Sequence, residues 1–242
     1  MVILCIGDEL LAGDIENTNA TYLAKRLTDL GSIPEKIITL PDDVSIVADE
    51  IQNYRDKIII TGGLGPTPDD KTREAVARAL NKKIVRDKIA EQTIKEKIRE
   101  KGIKEKTRIE NVLRMADLPE GCRLIENDVG VAPGFIVEDR IFVLPGVPKE
   151  MKAMFEKIKG CFQGKKIYTE WLKTEKKESQ IISAIKETLK RYNVRIGSYG
   201  RDGNVFVKIS STNEKEVKKA KQKLKNGFNF CLQVLIFCLY CI

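Results

Sequence analysis

The chain has 242 residues, 42% of them hydrophobic and 32% charged, which is enough for one large domain or for a medium and a small domain. It contains no histidine, and this excludes a Ser-His-Asp triad, an imidazole base and histidine-ligated zinc. The net charge of +8 is uneven, because residues 1–160 carry −2 and residues 161–226 carry +10. This asymmetry predicts a domain boundary near Gly160 and allows an acidic partner for the second part.

Strand and helix patterns alternate along the first 160 residues. Short apolar runs predict strands over residues 2–6, 33–40, 57–61, 122–125, 134–137 and 141–144. Helical periodicity predicts helices over residues 18–30, 44–54, 69–80, 107–115 and 148–158. The highly charged stretch 88–106 predicts a solvent-facing helix, with a lid as the alternative. The order predicts an α/β domain with a largely parallel sheet.

A glycine- and proline-rich loop follows the strand at residues 57–61. Its glycines, Gly62, Gly63 and Gly65, permit close backbone approach, and we expect Asp69 and Asp70 in the first turn of the next helix. These residues alone suit either a phosphate cradle beside a Mg²⁺-type site or an ordinary capped turn. The loop is not a Walker A loop, because no Gly-Lys-Ser/Thr follows, and it lacks the Rossmann spacing.

Four loops together resemble one known family. They are Gly7-Asp8-Glu9-Leu10-Leu11 with Asn17-Thr18-Asn19; Thr61 to Thr67 with Asp69-Asp70; Asn127 with Gly130 and Ala132-Pro133-Gly134-Phe135; and Leu144 to Met151. In this order they resemble the amino-terminal domain of CinA-type proteins (competence/damage-inducible protein A), which has the molybdopterin-binding, Mog-like fold. The resemblance implies a three-layer α/β domain over residues 1–160.

The resemblance also implies an activity. It implies a metal-dependent nucleotide pyrophosphatase that hydrolyses ADP-ribose to AMP and ribose 5-phosphate, with Mg²⁺, Mn²⁺ or Co²⁺ as the divalent ion. Two alternatives stay open. One is a molybdopterin-binding or adenylyl-transferring protein of molybdenum cofactor assembly. The other is a module that holds a nucleotide or nucleic acid without catalysis.

The resemblance assigns site residues position by position. The positions that match its substrate and phosphate contacts are Asn17, Asn19, Gly62, Gly63, Gly65, Pro66, Thr67, Gly134, Pro145, Gly146 and Pro148. As hypotheses, Asp8, Asp69 and Asp70 hold one or two metal ions, and Glu9 or Glu150 orients or deprotonates the attacking water. Lys71, Arg73 or Lys149 would offset phosphate charge, although Arg73 could equally be a helix-surface residue. Asp69 and Asp70 are the first candidates for the reaction itself.

Residues 165–226 predict a second, α+β domain. Its patterns predict strand, helix, strand, strand and helix over residues 165–174, 176–191, 194–199, 205–210 and 214–225. This order resembles the small KH-like domain that follows the Mog-like domain in CinA-type proteins. Gly200 to Gly203 fits the GxxG pattern of KH domains, but it lies between two strands, so we expect a hairpin turn there. Nucleic-acid binding is a minor hypothesis that the +10 charge keeps open.

The last residues, 227–242, carry no charge. They are too short for a membrane helix, which needs about 20 residues, and the expectations for them include a buried strand, a dimer contact, weak membrane association and an aberrant translated end. The resemblance does not extend to the deamidase domain that many CinA-type proteins carry, so we expect no deamidase activity. The six cysteines lack metal-ligand spacing and no signal peptide opens the sequence, so we expect a cytoplasmic protein. As a separate expectation, the protein forms a homo-oligomer.

Overall fold

The structure, a computed structural model, describes residues 1–100, 102 and 105–228. The chain divides into two compact units, Met1–Gly164 and Lys165–Ile242. In the described ranges, no helix is both long enough and apolar enough to cross a membrane.

The first unit alternates strands and helices. Its strands are Val2–Ile6 (β1), Lys36–Leu40 (β2), Ile58–Thr61 (β3), Ile84–Arg86 (β4), Asp117–Pro119 (β5), Arg123–Ile125 (β6), Gly134–Val137 (β7) and Ile141–Leu144 (β8). Its helices are Asp8–Ala12 (α1), Thr18–Asp29 (α2), Val44–Gln52 (α3), Thr72–Ala79 (α4), Lys88–Glu100 (α5), Lys106–Leu113 (α6) and Pro148–Ile158 (α7). Short 3₁₀ turns cover Arg114–Ala116 and Lys159–Phe162.

Six of these strands form the central sheet, in the order β2-β1-β3-β8-β7-β6. The first four strands are parallel, and β7 and β6 are antiparallel to their neighbours. The reversal between β7 and β8 takes place at Glu138 and Asp139, which both have positive φ, as the tight turn of a hairpin needs. The predicted Mog-like α/β class with a mostly parallel sheet is confirmed.

Both faces of the sheet are covered, which makes three layers. In β1, Val2, Leu4 and Ile6 contribute to the core with α3, α4 and α5. Ile3 and Cys5, on the opposite face, contribute to the core with α2 and α7. A strand that is buried on both faces reads as a continuous apolar run, and this is why the sequence predicts it so clearly.

The structure differs from the predictions at several elements. Helix α5 is not simply solvent-facing, because Ala90, Ile94 and Ile98 form a stripe buried in the first core, while Ile89 is exposed. Helix α4 begins at Thr72, so the expectation that Asp69 and Asp70 lie in its first turn is wrong. The sequence analysis missed α1, a five-residue helix, and the β4–β5 pair, whose strands are three residues each and far apart in the chain.

The second unit has the predicted order of elements. These are Tyr168–Thr174 (β9), Glu178–Arg191 (α8), Arg195–Arg201 (β10), Asn204–Ser211 (β11) and Glu214–Phe228 (α9). The strands form an antiparallel sheet in the order β10-β11-β9. The predicted hairpin is confirmed, because Arg201 pairs with Asn204 and the two residues between them, Asp202 and Gly203, both have positive φ.

The uncharged end of the chain falls mostly outside the described residues. Gly227 and Phe228 do not belong to a separate tail, because they form the last turn of α9, and Phe228 is buried in the core of the second unit. The expectations for residues 229–242 concern residues that the structure does not describe.

Candidate functional site

A cleft of about 1070 Å³ lies at the carboxyl ends of the parallel strands β1, β3 and β8. In open α/β sheets this edge is where ligands bind, because the loops that follow neighbouring parallel strands meet there. Most of the predicted site residues line the cleft: Glu9, Asn17, Asn19, Gly62, Gly63, Gly65, Pro66, Thr67, Asp69, Asp70, Pro145, Gly146, Pro148 and Glu150.

Five predicted site residues do not line the cleft: Asp8, Lys71, Arg73, Gly134 and Lys149. Asp8 is tied to Asp42 by two hydrogen bonds: the Asp8 N–H donates to Asp42 Oδ2 at 3.1 Å, and Asp8 Oδ1 accepts the Asp42 N–H at 3.3 Å. Lys71 is the residue before the first turn of α4, and Gly134 begins strand β7. The structure therefore brings the glycine loops together around the cleft, but Asp8, Lys71, Arg73 and Lys149 do not line it.

The glycine loop after β3 lies directly against the end of β1. Gly62 has φ 108° and Gly63 has φ 65°, a region that favours glycine. A Cβ atom at Gly62 would overlap the carbonyl oxygen of Ile6. Thr72, the first residue of α4, donates its hydroxyl to the Gly62 oxygen at 2.9 Å and its N–H to the Gly63 oxygen at 3.2 Å. The loop is thus held by two hydrogen bonds from Thr72 on one side, and on the other it lies too close to Ile6 for any side chain at Gly62.

Asp70 holds the rest of this loop closed. Its Oδ1 accepts the Gly65 N–H at 2.7 Å, and its Oδ2 accepts the Thr67 N–H at 2.9 Å and the Thr67 hydroxyl. Both carboxylate oxygens are therefore engaged within the loop. In this arrangement Asp70 shapes the loop, and a metal ion would have to compete with these donors for the same oxygens.

Arg73 lies buried beneath the loop, with 4% of its surface exposed. Its Nη1 donates to the carbonyl oxygens of Leu64 at 2.8 Å and Gly65 at 3.1 Å. Burial lowers the pKa of Arg73, while the charges of Glu74 and Asp70 oppose that effect. The alternative that placed Arg73 on the helix surface is wrong. The guanidinium instead holds two loop carbonyls, which fixes the path of the backbone between them.

Asn19 connects three of the elements around the cleft. Its Nδ2 donates to Thr61 Oγ1 at 3.0 Å and to the Gly146 oxygen at 2.7 Å, and the Thr61 hydroxyl donates to the Pro145 oxygen at 2.8 Å. Asn19 is 8% exposed, and its Oδ1 has no hydrogen-bond partner. Because a buried acceptor without a donor costs free energy, this atom suits an O–H or N–H group of a bound molecule.

Asn127 organises the loop between β6 and β7. Its Oδ1 accepts the N–H groups of Val129 and Gly130, and its Nδ2 donates to the Ala132 oxygen at 2.8 Å. The same Nδ2 donates to Glu150 Oε2 at 2.6 Å, which ties this loop to the first turn of α7. Glu150 therefore has a structural partner, although it also lines the cleft.

The carboxylates near the cleft do not form a ready metal site. Among the residues that the structure describes, no three His, Cys, Asp or Glu side chains are grouped so that they could hold a metal ion. Burial raises the pKa of Asp42, the hydrogen bond from the Asp8 N–H lowers it, and the negative charges of Asp8, Glu9 and Asp69 raise it. The donor set therefore does not fit the divalent ion that the family resemblance implies, and we derive no step through a metal.

Two arginines that sequence reasoning missed also line the cleft. Arg108 lies on α6 and Arg114 in the 3₁₀ turn after it, together with Asn111. Neither arginine forms a salt bridge within the described part of the chain. A charged helix some 45 residues after the glycine loop carries no local signal that it will fold against that loop. Only the tertiary structure reveals these two cations.

Comparisons with known proteins agree with this geometry. Residues 2–161 match the family model described as "Probable molybdopterin binding domain", and residues 166–231 match "FAD synthase, middle domain". A protein of Archaeoglobus fulgidus is 40% identical over 232 residues, which is 94% of this chain and 97% of the relative. A CinA-like protein of Kosmotoga olearia is 36% identical over 225 residues, which is 86% of this chain but 53% of that relative. The chain thus spans about half the length of that relative.

A solved structure supports the same assignment. The crystal structure of CinA from Thermoplasma acidophilum is 32% identical, with a TM-score of 0.59, over 66% of this chain and 96% of that one. The family match covers the unit that contains the cleft, and the CinA-like relatives extend into the second unit. The chain therefore belongs to the CinA-type proteins, whose first domain has the molybdopterin-binding, Mog-like fold.

Proposed function

We propose that the cleft binds ADP-ribose and hydrolyses its diphosphate to AMP and ribose 5-phosphate. The observation that carries this proposal is that a glycine loop and two arginines, Arg108 and Arg114, line one cleft, and that neither arginine has a salt bridge to any residue that the structure describes. Guanidinium groups and free backbone N–H groups are the donors that bind a diphosphate. In this loop the N–H groups of Gly62, Gly65 and Thr67 donate within the protein, which leaves those of Gly63 and Leu64 for a ligand. Ligand pockets commonly measure about 300–1,000 Å³, so a cleft of about 1070 Å³ has room for a base, two riboses and a diphosphate.

The chemistry requires charge neutralisation and a positioned water molecule. Arg108 and Arg114 would neutralise the negative charge that grows on the phosphate oxygens in the transition state. Glu9 is exposed in the cleft and would accept a proton as the water oxygen bonds to phosphorus. The bond from that phosphorus to the bridging oxygen breaks, and the leaving phosphate keeps the electron pair. Glu150 is a weaker candidate for the base, because Asn127 already donates to it.

The test is direct incubation of the full chain with ADP-ribose, followed by chromatography for AMP. The reaction is run with Mg²⁺, with Mn²⁺, with Co²⁺ and with a chelator, so that dependence on a divalent ion is measured in the same experiment. We expect AMP to form, and Glu9→Gln to lower kcat by about 10²-fold, the lower range for loss of a general base. Absence of AMP under all four conditions would refute the proposed function.

The two arginines have a matched control. A hydrogen bond to a charged group contributes about 1.5–3 kcal/mol, so Arg108→Gln or Arg114→Gln should lower kcat/KM by about 10- to 100-fold. Arg55 is exposed and does not line the cleft, so Arg55→Gln removes the same charge and should leave kcat/KM unchanged. If Arg108→Gln and Arg114→Gln gave the same kcat/KM as Arg55→Gln, the cleft arginines would not contact the substrate.

A second candidate is the binding of a molybdopterin-like phosphate. It is favoured by the family match of residues 2–161, whose description names molybdopterin. The orphan acceptor Asn19 Oδ1 would accept a pterin N–H as readily as a ribose O–H. Calorimetric binding of a pterin phosphate, with no turnover of ADP-ribose, would favour this candidate over the first.

A further inference from the structure

The sheet of the second unit has one face without a helix of that unit. In β11, Val205, Val207 and Ile209 are buried in the core with α8 and α9. Because side chains alternate along a strand, the residues between them lie on the opposite face. With their register partners on β9 and β10, they form what we term the open sheet face: Thr169, Trp171, Lys173, Arg195, Gly197, Tyr199, Arg201, Asn204, Phe206, Lys208 and Ser210.

The open sheet face displays aromatic rings. Trp171 is 47% exposed and Tyr199 is 52% exposed, and their ring centroids are 5.7 Å apart at an interplanar angle of 46°. Phe206 lies on the central strand between them, opposite Tyr199 on one side and Lys173 on the other. Large aromatic side chains usually bury their area, so three of them on one exposed face indicate a surface that contacts something else.

The same face is strongly cationic. Lys208 lies 5.8 Å from the Trp171 ring centroid, and Lys173 lies 6.0 Å from that of Phe206. Arg195 and Arg201 are exposed on β10. None of the residues that define the face is an acid, and the nearby Asp202 lies in the hairpin turn, where it pairs with Arg201 at 3.6 Å. Alternating cations and rings can contact phosphates and stack on bases at the same time.

We propose that the open sheet face binds single-stranded nucleic acid. Bases that are not paired can stack on Trp171, Tyr199 and Phe206, while the four cations contact the phosphates. The bases of a duplex are already stacked on each other and cannot stack on these rings, so we expect a single strand to bind more tightly than a duplex. The charge also argues against a second copy of the same face, because two such surfaces would bring eight positive charges together.

This surface overlaps the GxxG-like segment, Gly200 to Gly203, at Arg201 alone. Gly200 to Gly203 forms the hairpin end of β10 and β11, and the aromatic rings lie along the strands. The proposal is also independent of the cleft in the first unit. A chain that binds nucleic acid but has no hydrolase activity, or the reverse, would separate the two proposals.

The chain contains a single tryptophan, Trp171, so its fluorescence reports directly on this face. We expect a labelled 10-nucleotide single strand, titrated against the full chain at 50 mM salt, to quench that fluorescence and to raise the anisotropy of the label. The matching duplex should have little effect. With four phosphate contacts, the slope of log K against log salt should be about −2.8.

Two variants test which residues carry the binding. Trp171→Ala should weaken binding, followed by anisotropy, by about 10-fold, because one stacked base is lost. Lys173→Gln with Lys208→Gln should reduce the magnitude of the salt slope by about 1.4. The matched control is Lys186→Gln with Lys190→Gln, which removes two exposed lysines of α8, away from the face, and should change neither value.

The proposal is overturned by either of two results. One is the absence of quenching and anisotropy change at 50 mM salt while circular dichroism shows a folded protein. The other is binding that the control pair weakens as much as the face variants do, since that would indicate only a general attraction to a basic domain. Concentration-dependent dimerisation that Trp171→Ala abolishes, without any nucleic-acid binding, would assign the face to a protein interface instead.

Discussion

Replacement of Asp70 by alanine tests the structure of the glycine loop most directly. The change removes an acceptor of three hydrogen bonds, of which the bond from the Gly65 N–H is partly buried and the two from Thr67 are exposed. A hydrogen bond to a charged group contributes about 1.5–3 kcal/mol, and water largely replaces the exposed ones. We therefore expect the free energy of unfolding to fall by about 2–3 kcal/mol.

The assay is calorimetry of the full chain, following the transition of the first unit. For a domain of this size, 1 kcal/mol corresponds to about 2–4 °C, so the Tm should fall by about 4–12 °C. Asp14→Ala is the control, because it removes the same charge from an exposed side chain of the first unit, and it should leave the Tm nearly unchanged. Equal Tm values for the two variants would refute the conclusion that Asp70 holds the loop closed.

Two further predictions use the pKa values of single groups. Burial and the neighbouring acids raise the pKa of Asp42, so its ionisation destabilises the folded chain increasingly as the pH rises through that value. Asp42→Asn should therefore raise the Tm at pH 7, and this gain should disappear below about pH 4; a gain of equal size at both pH values would contradict the reasoning. Burial raises the pKa of the Cys122 thiol to about 11, whereas Cys161 is exposed. Iodoacetamide at pH 8 followed by peptide mass spectrometry should find Cys161 alkylated far more than the half-buried Cys122, and comparable labelling of both would contradict the raised pKa of Cys122.

The order of elements could be predicted because it depends on local patterns. Val2–Ile6 and Ile58–Thr61 are buried on both faces, and their continuous apolar runs are visible without any structure. The helices Thr18–Asp29 and Pro148–Ile158 begin close to the predicted residues, because a polar cap or a Pro at the amino end leaves a local signal. Thr18 was expected to cap the first of these helices, but the capping side chain is that of Asn17. The β4–β5 pair was missed because it joins residues about 30 positions apart, and no short window contains both strands.

The candidate site was predictable only in part. The glycines and the Asn17-Thr18-Asn19 segment stand out in the sequence, because their residue types suit tight turns and helix caps. The roles of the charged residues did not follow, since the sequence cannot show where a side chain points. Arg73 was expected either to meet phosphate or to lie on the helix surface, and instead it holds loop carbonyls. Arg108 and Arg114 line the cleft without any local pattern that marks them.

By itself, the sequence determined the α/β class, the change of charge near residue 160 and the glycine loops after β3 and β8. Local periodicity, backbone freedom and composition suffice for these features. The tertiary structure alone decided that both oxygens of Asp70 are used inside the loop, that Asn19 Oδ1 is left without a donor, and that aromatic and cationic side chains share one face of the second sheet. The reason is physical: each of these depends on which groups meet across the fold, and a free hydrogen-bonding atom or an open face exists only after the other contacts have formed.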